Sequence, residues 1–321
     1  MAEWIIYLNK MKKIIVTTTI NEPTEATLKF CEKKDWQFII AGDKKTPHNL
    51  YRELEKKYSN VFYYSPEEQE KDYPVLSDAL GWNCIQRRIL GLVKAYHMGA
   101  EIIATVDDDN IPYENWGKGL YIGKEVECYC YKSSSGVFDP LSITKSNFLW
   151  HRGYPIELLQ KRKEITPIGK VKRKVLVQAN LWDGDPDIDA MARLSFRPEV
   201  KFDEIVEPYC SEDISPFNSQ NTFLSREVLP FYCLFPFVGR MDDIWGSYVL
   251  QKFFPNSVVY GPATVYQDRN VQDLVKNLEA EIIGYRRTFE LINDLNNFQD
   301  YLPPETRNFW HIYREIFTNE K

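Results

Sequence analysis

The feature that most constrains this chain is a short apolar run that ends in three consecutive carboxylates: Glu101-Ile102-Ile103-Ala104-Thr105-Val106-Asp107-Asp108-Asp109-Asn110. A short run rich in β-branched residues predicts a buried strand. Three adjacent acids repel one another, so a fold that keeps them together needs a counter-charge; the plain alternative is a solvated acidic turn. Alternate side chains of an extended backbone share a face, so Asp107 and Asp109 are expected to point one way and Asp108 the other. Two hard oxygen ligands at the carboxyl end of a strand suit Mg2+ or Mn2+, with the remaining positions left to water and to a substrate phosphate.

The preceding hundred residues alternate in type. Strands are expected at Ile14–Ile20, Trp36–Gly42 and Val61–Tyr64. Helices are expected after Asn21 or Thr24 with Pro23 in the first turn, at His48–Lys57, and at about Ser77–Met98. In the last of these Ile85, Ile89, Leu92, Val93 and Tyr96 share one face, and Gly99 is a natural stop. This order predicts an α/β fold with a mostly parallel sheet covered by helices. Ligands of such sheets gather beyond the carboxyl ends of the strands. Three polar sets fall there: Thr18, Thr19 and Asn21; Asp43 to Thr46; and Asp107 to Asn110. Asp43 can accept from a ribose hydroxyl or a uracil N–H, and the hydroxyls and amide of Thr18, Thr19 and Asn21 can meet a base edge. Arg87 and Arg88, in mid-helix, have the forked geometry that suits a diphosphate; a turn residue and a solvated helix face are the simpler readings. No G-x-G-x-x-G or Walker loop is present, which weighs against a dehydrogenase, a kinase or a nucleotidyltransferase. Strand one also lacks a terminal Asp, which weighs against a haloacid-dehalogenase-type phosphatase.

Residues 110–174 look irregular, with turn signals at Ser133-Ser134-Ser135-Gly136 and Asp139-Pro140. Lys161–Lys174 reads as a solvated loop or hairpin, with folding over a diphosphate as the alternative, and His151 reads as a structural histidine in preference to a ligand or an acid. A strand at Val175–Leu181 leads into Trp182-Asp183-Gly184-Asp185-Pro186-Asp187-Ile188-Asp189. Counted as a calcium loop from Asp183, position six is Ile188 and position twelve Leu194, where an EF-hand needs Gly and Glu. An acidic loop bearing a tryptophan instead suits sugar hydroxyls, with Asp183, Asp185 and Asp187 as acceptors and Trp182 as an apolar platform; a tight Asp/Gly/Pro turn before a helix at Asp189–Leu194 is the simpler alternative. The last dense stretch is Gly239-Arg240-Met241-Asp242-Asp243-Ile244-Trp245. Either acid can cap the helix that follows. Asp242 is the better placed to cap, which leaves Asp243 as the expected general base on an acceptor hydroxyl, in an inverting transfer.

A hydrophobic content of 44% over 321 residues supports a sizeable core, as one large domain or two small ones, and a net charge of −6 argues against nucleic acid as the main partner. No apolar run approaches the roughly 20 residues of a membrane span. The six cysteines have no framework spacing, which suits a reducing compartment. A soluble, cytoplasmic protein is expected.

The ordered set Thr17-Thr18-Thr19-Ile20-Asn21, Ala41-Gly42-Asp43-Lys44-Lys45-Thr46-Pro47, Asp107-Asp108-Asp109, Arg152-Gly153-Tyr154-Pro155, Trp182 to Asp189 and Gly239 to Trp245 resembles the STELLO-like glycosyltransferases. It is more distantly similar to the plant reversibly glycosylated polypeptides, the UDP-arabinopyranose mutases. The resemblance spans about residues 13–275. It implies a GT-A fold, Rossmann-like with C-terminal helices, a nucleotide-sugar donor that is most often a UDP-sugar, a glycan or glycoconjugate acceptor, and Mn2+ or Mg2+ held at Asp107–Asp109. Such enzymes often supply a late histidine to the metal; here Tyr266-Gln267-Asp268 stands in that region. The expected organisation is an N-terminal extension (1–12), a nucleotide-sugar-binding half (13–110), an acceptor-binding and catalytic half (111–270) and a C-terminal helical segment (271–321). A nucleotide-sugar mutase or self-glycosylating protein, and a non-catalytic sugar-nucleotide-binding subunit, are the competing readings.

Overall fold

The computed structural model describes residues 11–318. The expected N-terminal extension therefore lies outside the described residues except for Met11 and Lys12, as do the last three positions of the C-terminal segment.

The first half follows the expected alternation. Strand β1 (Lys13–Thr19) leads into helix α1 (Glu25–Cys31). Of the two candidate caps it is Thr24 that acts, its Oγ1 accepting from the Thr27 amide at 3.1 Å. Then come β2 (Gln37–Gly42), α2 (His48–Lys57) and β3 (Val61–Tyr64). Helix α3 (Pro66–Asp72) was not expected, although Ser65 and Glu68 close a capping box around its start. The single helix expected at Ser77–Met98 is two, α4 (Pro74–Leu80) and α5 (Arg88–His97). Gly81 and Asn83 between them adopt positive φ, 68° and 60°, which a right-handed helix does not allow. The Asp43 carboxylate accepts from the freed amides of Asn83 (2.8 Å) and Cys84 (3.1 Å), so a side chain of β2's end replaces the missing helical bonds. Arg87 and Arg88 consequently stand at a helix start, not in mid-helix.

Strand β4 (Ile102–Val106) carries the three acids, followed by β5 (Asn110–Pro112). The stretch read as irregular contains β6 (Glu125–Ser133), paired antiparallel with β7 (Ile165–Lys174). Both lie at the sheet's edge and are half-exposed, so they carry little of the apolar pattern that marks a buried strand. The remaining elements are β8 (Val177–Asn180), β9 (Asp183–Gly184), α6 (Ala190–Ser195), β10 (Tyr209–Ser211), β11 (Asn221–Ser225), α7 (Asp242–Phe253), β12 (Val258–Gly261), β13 (Val265–Gln267), α8 (Leu274–Asn293) and α9 (Pro304–Thr318).

The main sheet has the order β3-β2-β1-β4-β11-β8-β12-β10-β6-β7. Its first four strands are parallel, and β11 enters antiparallel to both β4 and β8. This is a Rossmann-type layout: a mixed, mostly parallel central sheet flanked by helices, with further helices at the C-terminal end. Alternate residues of each strand go to opposite layers of core. Ile14, Val16, Ile39, Ile103 and Leu224 pack in one layer, and Ile15, Phe38, Ile40, Ala104 and Phe223 in the other. Helix α5 sits so close to β1 that a Cβ on Gly91 would lie 2.6 Å from Val16 Cγ1. That proximity brings Arg88 over the strand ends. A small second sheet, β5-β13-β9, ties the segment after the acids to residues 183–184 and 265–267. Among the described residues no helix is long and apolar enough to cross a membrane.

Candidate functional site

Two pockets adjoin beyond the carboxyl ends of β1, β2 and β4, and Ile85 lines both. The first is walled by Thr18, Thr19, Ile20, Asn21, Asp43, Asn83, Cys84, Ile85 and Asp108. Thus Thr18, Thr19, Asn21, Asp43 and Asp108 come together as the sequence expected. Most of their polar atoms are engaged within the protein. The Thr18 hydroxyl donates to the Ala41 carbonyl at 2.7 Å. The hydroxyl of Thr19 and the amide of Asn21 (2.9 Å) both donate to Asp108 Oδ2. Asp43, 1% exposed, accepts from three backbone amides, those of Lys44, Asn83 and Cys84. Ile20 and Ile85 remain half-exposed at the rim as apolar surfaces.

The second pocket is a charged cleft. It is lined by Ile85, Arg88, Asp107, Asp109, Arg152, Asp187, Ser219, Gln220, Gly239, Arg240, Asp242, Asp243, Arg269 and Gln272. The three acids are therefore divided as expected, Asp108 to the first pocket and Asp107 with Asp109 to the second. The backbone that divides them is a turn, not a continued strand: β4 ends at Val106, and the Asp107 carbonyl accepts from the Asn110 amide at 3.3 Å. Asp107 is ion-paired with Arg88, which also donates to Ser219 Oγ at 2.8 Å. Asp109 accepts from Gln267 Nε2 at 2.6 Å, and Gln267 in turn accepts from Asn110. So the late Tyr266-Gln267-Asp268 stretch does reach the acids, but Gln267 arrives as a hydrogen-bond donor. Burial, then the neighbouring charge of Asp107, pushes the Asp109 carboxyl up to about 7, with Arg269 opposing.

Among the described residues no group of three or more His, Cys, Asp or Glu side chains is disposed to hold a metal ion. Asp107 and Asp109 offer two carboxylates, one of them already paired with a guanidinium. An all-oxygen set this small suits a hard cation that takes its other positions from water and phosphate. The raised Asp109 is a carboxylate held near others without sufficient positive charge.

Asp242 and Asp243 open α7, but neither caps it: Met241 precedes the helix and no side chain bonds its free amides. This corrects the expected cap at Asp242. Asp243 is held by Arg152 (Nη2 to Oδ1, 3.0 Å) and by the amide (2.8 Å) and hydroxyl (3.0 Å) of Ser219. Asp242 accepts from Gln86 Nε2 at 2.8 Å. Burial, then the charge of Asp243, pushes Asp242 up to about 7, with Arg152 opposing. Arg152 also grips Asp187, its Nη2 lying 2.8 Å from Oδ2. Burial alone would raise Asp187, yet Arg152 holds it far below the usual carboxylate range.

Arg87 is not brought to either pocket. It is fully buried, donates to Gln69, Ser77 and Gly81, and lies over the Trp82 ring. The acidic loop is divided as well: Asp187 lines the cleft, whereas Trp182, Asp183 and Asp185 do not. Trp182 is buried against His151, ring centroids 5.7 Å apart. Asp183 accepts from the Tyr113 hydroxyl and the Phe202 amide, both at 2.9 Å. Asp185 pairs with Arg193. These three are engaged within the protein and stand outside the cleft. The residues that sequence reasoning left without a role are Gln86, Arg152, Ser219, Arg240 and Arg269. Arg152 and Arg240 stood inside quoted motifs, but only the fold shows that they face the same carboxylates.

No protein-family model matches the chain, and no curated protein sequence matches it. Solved structures do. A glucosyl-3-phosphoglycerate synthase from Mycobacterium tuberculosis, in complex with Mn2+, UDP-glucose and phosphoglyceric acid, is similar with a TM-score of 0.44 and 11% identity, over 87% of this chain and 79% of that one. Another structure of the M. tuberculosis synthase has a TM-score of 0.43 and 12% identity, over 87% and 80%. A mannosyltransferase from Pyrobaculum calidifontis, in complex with GDP-mannose and Mn2+, has a TM-score of 0.43 and 11% identity, over 97% and 71%.

Proposed function

We propose that the chain is a metal-dependent glycosyltransferase that moves a hexosyl or pentosyl group from a nucleotide-sugar, in the first instance a UDP-sugar, to an acceptor hydroxyl on a glycan or glycoconjugate. One observation carries the reading. The turn at Asp107–Asp109 sends Asp108 into a pocket with apolar rims and Asp107 and Asp109 into an adjoining charged cleft. A nucleoside diphosphate sugar has that polarity: a flat, weakly charged base and ribose, then a diphosphate, then a sugar.

In this reading Ile20 and Ile85 flank the base, and Asp108, braced by Thr19 and Asn21, accepts from ribose hydroxyls. Thr18 and Asp43 shape the wall, and Arg88 keeps Asp107 in place. Asp107 and Asp109 hold Mn2+ or Mg2+, which when bound supplies Lewis-acid stabilisation of the leaving diphosphate. Asp242, not Asp243, is the proposed general base of an inverting transfer. Its carboxyl is poised near neutrality, where a base is most effective, while Asp243 is tied to Arg152 and Ser219.

The test is calorimetric titration of UDP in Mn2+ and in EDTA, followed by assay of UDP release from a panel of UDP-sugars with and without candidate acceptors. Metal-dependent UDP binding with acceptor-dependent release is the expected result. Interconversion of free UDP-sugars without acceptor would make the protein a mutase. Binding without any turnover would make it a sugar-nucleotide-binding subunit.

A further inference from the structure

The charges of the cleft do not match group by group. Arg88 is matched by Asp107, Arg152 by Asp187 and Asp243, and Arg240 by Glu281 at 2.8 Å. Arg269 is different. Its side chain is only 6% exposed, and its Nε lies 3.6 Å from Asp185 Oδ1. That distance is too long for a hydrogen bond, and Asp185 is already paired with Arg193 at 7% exposure of the arginine side chain. Arg269 Nε and Nη2 are both buried without a hydrogen-bond partner. These two nitrogens form one edge of the guanidinium, the edge that grips two oxygens of a carboxylate or phosphate at once. Unmade donors on a buried cation are unfavourable, and an incoming oxyanion relieves them. The chain leading to it is anchored at the acids: Gln267 of β13 donates to the Asp109 carboxylate and the Asp268 amide to the Asp109 carbonyl at 2.9 Å, and Arg269 lines the cleft with Asp109, Arg240 and Gln272.

Resting on the glycosyltransferase reading above, we propose that Arg269, with Arg240 beside it, forms an oxyanion subsite that takes a phosphate or carboxylate group of a reactant. That group belongs either to the donor's diphosphate or to an acceptor that is itself anionic. The chemistry of recognition is the same, and titration separates the sources.

The parent, Arg269→Gln and Arg269→Lys are titrated with UMP and with UDP in Mn2+, and inorganic phosphate is titrated into each protein saturated with UDP and Mn2+. If the donor is the source, Arg269→Gln loses UDP affinity by roughly 10- to 100-fold, the value of hydrogen bonds to a charged group, while UMP affinity holds. If the acceptor is the source, UDP affinity holds, and the UDP-loaded parent binds phosphate where the variant does not. UDP and phosphate affinities equal to the parent's in both variants overturn the subsite and make the unpaired edge structural. Arg269→Lys keeps the charge but lacks the two-pronged edge, so the same losses are expected in it and carry the test if Arg269→Gln does not fold. Should the parent bind neither UMP nor UDP, the glycosyltransferase reading fails. Phosphate is then titrated into the free proteins: binding to the parent that is lost in Arg269→Lys supports the subsite, and absence of binding to the parent overturns it.

Discussion

The two adjoining pockets are built by opposite means. In the first, the polar groups all come from the opening βα units, residues 18–108, and answer one another. Asp43 takes three backbone amides, Thr18 bonds the neighbouring strand, and Thr19 and Asn21 hold Asp108. In the second, four arginines and five aspartates arrive from segments far apart in sequence, and their pairing leaves a remainder. Asp109 and Asp242 are pushed up to about 7, and Arg269 has an unpaired edge. A satisfied wall selects by shape and changes little when its ligand arrives. An unsatisfied cleft is arranged for charges that the protein does not itself contain, and catalytic groups are drawn from such places.

If the difference is functional, the largest effects come from the unsatisfied acids. Asp242→Asn is expected to lower transfer by about 10²- to 10⁴-fold with donor affinity kept. The pH profile gives an independent check. A base with its carboxyl near 7 works only when deprotonated, so parent kcat/KM should rise with pH through about 7, and no such limb is expected in Asp242→Asn. The stability effect has the opposite sign. A carboxyl raised in the folded state keeps its proton to higher pH than in the unfolded chain, so its contribution to stability falls as pH rises from the ordinary carboxylate range to about 7. Asp242→Asn should flatten that fall. Asp243→Asn is expected to act mainly on stability, lowering it by about 1–3 kcal/mol, because Arg152 and Ser219 lose a buried partner. A dead Asp243→Asn beside an active Asp242→Asn would return the base to Asp243.

Next in size is the metal. Asp109→Ala should reduce the Mn2+ dependence of UDP binding by at least about 10- to 100-fold, the range for outer-shell partners of a metal, without unfolding the chain. Equal UDP affinity of the parent in Mn2+ and EDTA would break the assignment.

The same contrast decided what could be read from the sequence. The first pocket was legible because parallel βα units place strand ends together by rule, so Thr18, Asn21, Asp43 and Asp108 could be grouped without coordinates. The break at Gly81–Cys84 was not, since the apolar face starts only at Ile85 and the Asp43 carboxylate that takes the freed Asn83 and Cys84 amides lies about 40 residues away in sequence. The charged cleft was legible only in its acids. Nothing in the sequence says that Arg152, Arg240 and Arg269 converge: Arg152 follows the His151–Ile188 bridge, Arg240 precedes α7, and Arg269 follows β13, which pairs with β5 across about 155 residues of chain. The Trp182–Asp185 platform was read from composition alone, which does not show that Trp182 packs on His151, that Asp183 takes the Tyr113 hydroxyl and the Phe202 amide, or that Asp185 pairs with Arg193.

A smaller effect is expected in the first pocket. Asp43→Ala leaves three amides of the pocket wall without their acceptor. Stability and UDP affinity should fall together, each by about 1–3 kcal/mol, as read from melting and calorimetry. A loss of stability with unchanged UDP affinity would mean that the nucleoside lies elsewhere, and would remove one side of the contrast.

The smallest effect on binding should come from Arg87. The sequence placed it beside Arg88 as a second diphosphate contact, yet one position along the helix start separates two fates. Arg88 points over the ends of β1 and β4 to Asp107 and Ser219, while Arg87 turns into the layer beneath α3 and α4 and is surrounded by Gln69, Ser77, Gly81 and Trp82. Arg87→Met should therefore destabilise the fold, at roughly 1–3 kcal/mol for each polar group left unpaired, and leave UDP affinity unchanged once the protein is kept below its melting temperature. Arg88→Met, by contrast, removes the counter-charge of Asp107 and should weaken metal-dependent UDP binding. Parallel losses of affinity in both variants would show that the diphosphate reaches the Arg87 side, and that the boundary between the satisfied and unsatisfied regions lies elsewhere than at Ile85.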